Sequence, residues 1–138
     1  MTYISRHRVA MTVTASGGAA QSFYSPSVLH GQIEAIRYQP ATTSGISTAA
    51  HISITGEQSG IEVLTATATG IVTWYPRAGA MNTSAVALGY SSGAAPPMVP
   101  ALIPVANERV KITLTSGGTA SAGGLSGTLD LYLSGAAG

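Results

Sequence analysis

The sequence predicts an all-β domain, an antiparallel β-sandwich or a small β-barrel of jelly-roll type. Apolar and polar residues alternate along several segments, and glycine- and serine-rich breaks separate those segments at short intervals. No stretch of ten residues carries apolar positions at helical spacing. With 138 residues, 45% of them hydrophobic, the chain has the size and the apolar content of one domain with a single core. We therefore expect a single domain over residues 1–138.

Three segments alternate strictly and are predicted to be strands with one buried and one solvated face. Their buried sides are Val9, Met11 and Val13 in residues 8–15; Val110, Ile112 and Leu114 in residues 109–115; and Leu129, Leu131 and Leu133 in residues 128–133. Arg8, Arg109, Lys111 and Asp130 are expected on the solvated sides. Further strands are predicted over residues 29–38, 50–55, 61–68, 70–76 and 84–90, which are rich in β-branched and aromatic residues.

The connections and the chain ends have their own signals. Residues 116–125 are rich in glycine and alanine and are predicted to be the tip of a hairpin that follows Thr115. Residues 94–104 contain four prolines and are expected to be an extended crossing between sheets, with Leu102 and Ile103 as its anchors. Residues 1–7 and 134–138 are expected to be a short N-terminal arm and a short C-terminal tail.

Charge is scarce in this chain, because only 8% of the residues are charged where about a quarter is usual. The six lysines and arginines are scattered and the net charge is +1, so direct nucleic-acid binding is not expected. The absence of cysteine excludes disulfides and thiolate metal sites. No apolar run is long enough for a membrane helix, and no signal peptide is evident, so we expect synthesis in the cytoplasm.

Candidate catalytic groups are few. His7, His30 and His51 lack the spacing of a local metal site, and a hydrolytic triad would need Asp130, the only aspartate. Glu57 and Glu62 flank a predicted hairpin turn, where solvated charges are expected. We therefore predict a non-enzymatic protein with no catalytic residue, no metal and no cofactor, and a small hydrolase is the weakest alternative.

Residues 73–77 (Thr-Trp-Tyr-Pro-Arg) form the densest cluster of unusual residues. Trp, Tyr and Arg dominate protein interfaces, although Trp74 fits a core position at a strand end equally well. The predicted contact residues come from this cluster and from the N-terminal segment around residues 3–8. They are Trp74, Tyr75, Arg77, Tyr3, Arg6 and Arg8. Glu108 is expected to pair with Arg77 or Arg37 in an ion pair inside the fold or between subunits.

Aromatic residues leave a carbohydrate-binding module open as an alternative, since tyrosine rings can stack on sugars or bases. The residues concerned are Tyr24, Tyr38, Trp74, Tyr75, Tyr90 and Tyr132, which are spread over different predicted strands.

The order of five segments resembles a group of small virion-structural proteins of tailed bacteriophages, encoded near the major capsid protein. The segments are residues 31–38 (Gly-Gln-Ile-Glu-Ala-Ile-Arg-Tyr), 52–57 (Ile-Ser-Ile-Thr-Gly-Glu), 75–77 (Tyr-Pro-Arg), 102–112 (Leu-Ile-Pro-Val-Ala-Asn-Glu-Arg-Val-Lys-Ile) and 127–133 (Gly-Thr-Leu-Asp-Leu-Tyr-Leu). The resemblance covers roughly residues 28–133 and implies a non-enzymatic virion component. It carries over no functional residue.

We therefore expect a capsid decoration (cement) protein that binds the major capsid protein on the outside of a phage shell. We also expect it to self-associate as a homotrimer, with no membrane partner. A tail, collar or head-spike component is the alternative within the virion.

Overall fold

The computed structural model describes residues 2–14, 19–43, 45–46, 50–68, 70–79, 100–115 and 125–136. All regular structure within these ranges is β, which confirms the predicted fold class. The strands are β1 (Thr2–Val13), β2 (Gln21–Tyr24), β3 (Leu29–Pro40), β4 (His51–Gly56), β5 (Glu62–Thr67), β6 (Val72–Trp74), β7 (Ala78–Gly79), β8 (Pro100–Ala101), β9 (Ile103–Glu108), β10 (Val110–Thr115) and β11 (Leu125–Ala136). Among the described residues there is no helix long and apolar enough to span a membrane.

Two antiparallel sheets make a β-sandwich. The larger sheet has the order β1-β11-β3-β6. β9 pairs with the same edge of β3 as β6 does, but nearer the start of β3. The smaller sheet has the order β2-β10-β4-β5. β7 and β8 form a separate two-stranded ribbon. All pairs between these strands are antiparallel.

One hydrophobic core lies between the two sheets. The three alternating segments bury the predicted sides, and each of their nine apolar residues is almost completely enclosed. Burial of such a side chain stabilises the fold by about 1.5–3 kcal/mol. Tyr38 lies at the centre of the core, and its burial raises the pKa of its hydroxyl to about 12.

The described parts of the predicted arm and tail are strand ends instead. β1 and β11 pair without interruption from Thr2 opposite Ala136 to Val13 opposite Leu125. Alternation fades at this end because Tyr3 and Ile4, which lie on opposite sides of the strand, are both exposed. A segment whose two faces are both wet gives no period-2 signal, although its backbone is fully paired.

The hairpin predicted after Thr115 is also wrong, because β10 and β11 belong to different sheets. Alternation shows which side of a strand is buried but does not show which strand pairs with it. Two alternating strands joined by a glycine-rich segment therefore have the sequence pattern of a hairpin even when they do not pair. The predicted tip over residues 116–124, the strand over residues 84–90 and the start of the proline segment lie outside the described residues.

The end of the proline segment forms β8 and β9, where a connection was predicted. Among the described residues β9 pairs with β3 alone, so Pro104 lies on an edge strand of the described sheet, where a missing amide donor is tolerated. Ile103 is buried, as expected of an anchor, while Leu102 is half-buried. The chain crosses to the smaller sheet after Glu108, and the residue before it, Asn107, has a φ of 55°, which asparagine tolerates better than most residues.

Candidate functional site

The register of the larger sheet sets charged and aromatic side chains in rows on its solvent side. In one row Arg8 lies opposite Asp130, which lies opposite Arg37. In the next row Arg6 lies opposite Tyr132. Tyr75 follows β6, which borders β3. This surface is called the outer face below, and its main residues are Arg6, Arg8, Arg37, Tyr75, Asp130 and Tyr132.

A bidentate ion pair anchors the outer face. Arg8 donates from Nε to Oδ1 of Asp130 at 2.8 Å and from Nη2 to Oδ2 at 3.1 Å. The hydrogen bond from Arg8 lowers the pKa of the Asp130 carboxyl, and the nearby charges of Arg8, Arg6 and Arg37 act in the same direction. Asp130 was expected on a solvated side but is only 5% exposed, because neighbouring strands and the guanidinium of Arg8 cover it.

The outer face carries excess positive charge. Three of the six cations of the chain, Arg6, Arg8 and Arg37, share it with one aspartate, which gives the face a formal charge of +2. Arg8 pairs with that aspartate, whereas Arg6 and Arg37 form no ion pair with any described residue. This surface therefore presents two guanidinium groups that suit a carboxylate-bearing partner.

Two tyrosines border a shallow slot on the same face. Its volume is about 290 Å³, and it is lined by Ala35, Arg37, Thr73, Tyr75 and Tyr132. Tyr75 is 69% exposed, the most exposed of the large apolar side chains that the structure describes. The small side chain of Ala35 leaves room between the rings, so a planar or extended group fits beside Arg37.

The predicted contact residues divide among four places, of which the edge of β3, where Arg77 lies, is described in the next paragraph. Arg6, Arg8 and Tyr75 lie on the outer face, and Tyr3 is exposed near the start of β1. Trp74 is half-buried against the core and its ring centroid is 6.4 Å from that of Tyr38. The cluster at residues 73–77 therefore splits, because successive strand residues point to opposite sides.

Arg77 is tied to the edge of β3. Its Nη1 donates to the backbone oxygen of Glu34 at 3.0 Å, and its Nη2 lies 3.6 Å from the carboxylate of the same residue. Arg37 and Tyr132 complete the outer face, although neither was predicted as a contact residue. Their positions on solvated sides were readable, but their closeness to Tyr75 depends on strand order, which the sequence does not define.

A second polar cluster surrounds the turn between β4 and β5, which pair as the predicted hairpin. The Glu108 carboxylate accepts hydrogen bonds from Gln58 N at 2.8 Å, Ser59 N at 2.8 Å and Ser59 Oγ at 2.6 Å. The ion pair of Glu108 with Arg77 or Arg37 was a wrong prediction. Glu108 is 3% exposed, and the Ser59 hydroxyl, followed by the two amides, lowers its pKa.

The other side of this turn holds an ion pair. Arg109 donates to both carboxylate oxygens of Glu57, at 2.7 and 2.8 Å, and its guanidinium lies 4.8 Å from the ring centroid of Tyr24. The hydrogen bond from Arg109 lowers the pKa of Glu57. The five residues Tyr24, Glu57, Ser59, Glu108 and Arg109 are called the turn cluster below.

Of the candidate catalytic residues, the structure brings His7 and His30 to one slot and leaves His51 and Asp130 elsewhere. Ser5 Oγ lies 3.0 Å from His7 Nε2, beside a slot of about 130 Å³ that His30 also lines, and His51 contacts Thr67. The only aspartate is bound to Arg8 instead of a histidine. Within the described ranges no three metal-ligating side chains come together.

These observations define a charge-poor β-sandwich with a cationic, tyrosine-bearing face. No protein-family model matches the chain, and no curated protein is similar to it in sequence. A solved structure described as "Crystal Structure of FLHE" is similar with a TM-score of 0.40 and 9% identity, over 95% of this chain and 96% of that chain. A likeness of this size carries no conclusion about function.

Proposed function

We propose that this chain is a non-enzymatic structural subunit of a bacteriophage virion, a decoration protein that binds the major capsid protein on the outside of the shell. The sequence resemblance to small virion-structural proteins suggests the setting. The observation that carries the proposal is the outer face, where Arg6 and Arg37 form no ion pair among the described residues and Tyr75 is exposed. Residues of these types supply most of the binding energy in protein interfaces.

The surface next to these residues supports packing against another protein. A shallow concavity of about 640 Å³ continues the outer face along β1 and β11, and the small residues Ala10, Thr12, Gly127 and Thr128 help to line it. Neutral side chains of this size lose little hydration when a partner covers them. A partner can therefore approach the backbone of the sheet closely, while the arginines and tyrosines provide the specific contacts.

The proposed action is mechanical. Each copy bridges neighbouring capsid subunits and adds buried area at their junction, and repetition over a lattice turns weak single contacts into stable attachment. Self-association as a homotrimer, which remains part of the proposal, would match a three-fold junction of the shell.

The test adds the purified chain to undecorated phage capsids and measures bound protein against free protein. We expect saturable binding at a fixed ratio to capsid subunits, and light scattering on the free chain should give the mass of a trimer. Tyr75→Ala should weaken capsid binding about tenfold or more, as expected for a central interface tyrosine. Tyr24→Ala, which removes an exposed tyrosine from the smaller sheet, is the matched control and should bind like the wild type.

Two results would overturn the decoration proposal. Binding to purified tails or collars and not to heads would indicate the other virion role. Equal loss of capsid binding in Tyr75→Ala and Tyr24→Ala would remove the outer face from the interface.

The slot between Tyr75 and Tyr132 favours carbohydrate binding as a second candidate function. Two tyrosine rings beside an arginine can stack on a sugar and hydrogen-bond its hydroxyl or carboxylate groups. A glycan array probed with the chain should then give signals that Tyr132→Ala abolishes, without any shell. An array with no signal above the Tyr132→Ala background would reject this candidate.

A further inference from the structure

β1 is the outermost strand of the larger sheet, and its outer edge has no strand beside it among the described residues. The strand has 12 residues, which corresponds to about 40 Å of extended backbone. Natural proteins rarely leave so long an edge unprotected, because unpaired amide and carbonyl groups recruit further strands. The edge of β1 therefore presents backbone groups with which a further strand could pair.

The side chain of Gln21 shows which backbone groups face that edge. Its Nε2 donates to Thr12 O at 3.1 Å, and its Oε1 accepts from Thr14 N at 3.0 Å. Both backbone groups of a strand residue point to the same side, and that side alternates along the strand. The pairing of β1 with β11 has no register shift, so Ile4, Arg6, Arg8 and Ala10 also direct their amide and carbonyl groups outward.

Gln21 therefore caps only one end of this edge. Over residues 4–10 no described residue pairs with the outward backbone groups. The same four residues place their side chains on the outer face, since their sequence neighbours continue the inward side of Val9 and Met11. An added strand would thus pair with the backbone of β1 and lay alternate side chains beside Ile4, Arg6, Arg8 and Ala10.

The charges of the edge select its occupant. Arg8 is already paired with Asp130, and Arg6 has no ion pair among the described residues, so carboxylates on the added strand would be stabilised there. A second copy would bring its own β1, and antiparallel pairing centred on His7 would set Arg6 opposite the Arg8 of the other copy. Like charges directly opposite each other are unfavourable, so self-pairing in this register is disfavoured.

We propose that the free edge of β1 binds an extended segment of a partner protein by strand addition, with acidic side chains beside Arg6 and Arg8 and apolar ones beside Ile4 and Ala10. In this mode the backbone hydrogen bonds provide affinity, and alternate side chains provide specificity. The inference rests on the proposal that the chain works by binding another protein. It names the kind of segment that the partner contributes.

The test uses a fluorescein-labelled peptide, Val-Thr-Glu-Thr-Glu-Thr-Val, titrated with the full chain while fluorescence anisotropy is recorded. Its symmetric pattern fits the edge in either strand direction. We expect saturable binding that is lost when both glutamates are replaced by lysine. Backbone amide shifts in an NMR titration should be largest in residues 4–10.

Two variants with the same charge change separate the edge from the face. Arg6→Glu should lower the affinity for the peptide about tenfold or more. The substitution removes a charge-assisted contact and adds a repulsion between two carboxylates. Arg37→Glu removes an arginine from the same face two strands away from the edge, and it should change the affinity by no more than about twofold. Equal weakening by both variants, or none by Arg6→Glu, would overturn the proposal.

Ala10→Pro tests the backbone contribution. It removes an amide that faces the free edge and leaves the bonds between β1 and β11 in place, so we expect a folded chain that no longer binds the peptide. A wild-type dimer that Ala10→Pro dissociates would instead show that a second copy occupies the edge. Capsid binding without peptide binding would refute this inference alone, and peptide binding without capsid binding would refute the decoration function alone.

Discussion

The turn cluster and the outer face use the same scarce charges in opposite ways. In the turn cluster Glu57, Glu108 and Arg109 are all engaged by hydrogen bonds within the fold. On the outer face Arg6 and Arg37 have no carboxylate partner among the described residues. A chain with few charges has thus committed one group to its architecture and left another available to a partner.

The turn cluster joins the two layers of the sandwich. Glu108 is the last residue of β9 in the larger sheet. The two backbone amides that donate hydrogen bonds to its carboxylate belong to the turn of the smaller sheet. A buried carboxylate without a cation is unfavourable unless hydrogen bonds replace its lost hydration, and three donors do so here. The outer face has no comparable link between layers, and outside the Arg8–Asp130 pair its arginines form no ion pair among the described residues.

The largest expected effect on stability comes from Trp74, which packs against the core, and it is compared with that of its sequence neighbour Tyr75, which lies on the outer face. Trp74→Ala removes a ring packed against Tyr38 and the core and should lower the free energy of unfolding by about 3 kcal/mol. Tyr75→Ala removes an exposed ring and should change it by no more than about 0.5 kcal/mol. Urea unfolding followed by fluorescence or circular dichroism measures both values.

A loss of stability of similar size in both variants would contradict the assignment of Tyr75 to a surface that the fold does not need. Tyr24→Ala is again a suitable comparison, because this tyrosine is exposed but contacts Arg109 in the turn cluster. It should fall between the other two.

The next effect is the acid sensitivity of the turn cluster. The folded chain holds the pKa of Glu108 below its ordinary value of 4.5, so the folded state binds fewer protons than the unfolded state around that pH. This contribution to stability is complete above about pH 5 and is lost as the pH falls through the lower, folded-state pKa. Glu57 and Asp130, whose pKa values are also lowered, act in the same direction.

Glu108→Gln should therefore be less stable than the wild type at pH 7 and should lose less additional stability between pH 6 and pH 3. Unfolding midpoints in urea at a series of pH values give the comparison. Glu62→Gln removes the same charge from an exposed strand position and serves as the control. Identical pH profiles for the wild type and Glu108→Gln would show that Glu108 does not act as a carboxylate in the folded chain.

Alternation and turn signals were sufficient to predict the fold class and the buried side of the principal strands. Val9, Ile112 and Leu131 are buried where period 2 placed them, because a side chain's direction is a local property of the strand. Strand neighbours are a global property. The sequence therefore predicted a hairpin between two strands that belong to different sheets, and it did not place Arg37 and Tyr132 beside Tyr75.

The partners of the charged residues were predictable only in part. The hairpin that carries Glu57 was predicted, but the bonds of Glu108 to Gln58 and Ser59 were not, since they join residues about 50 positions apart. The alternating pattern placed Asp130 on the solvated side of its strand. It is buried because the flanking strands and the paired Arg8 cover its carboxylate. Long-range hydrogen bonds of this kind leave no local pattern in a single sequence.

The smallest expected effect on stability tests whether the fold requires the unpaired arginines of the outer face. Arg6→Gln and Arg37→Gln should each leave the free energy of unfolding within about 0.5 kcal/mol of the wild type, because neither guanidinium has an ion pair among the described residues. Arg8→Gln should be less stable than either, since it leaves the Asp130 carboxylate enclosed without its bidentate partner.

Thermal and urea unfolding of the three variants at pH 7 give this order directly. If Arg6→Gln or Arg37→Gln were as destabilising as Arg8→Gln, the charges of the outer face would serve the fold, as those of the turn cluster do. The order expected here leaves two arginines that the fold does not require, on a sheet whose edge strand β1 has no paired neighbour over residues 4–10 among the described residues. Arginines that the fold does not require are the groups that the proposed acidic partner would engage.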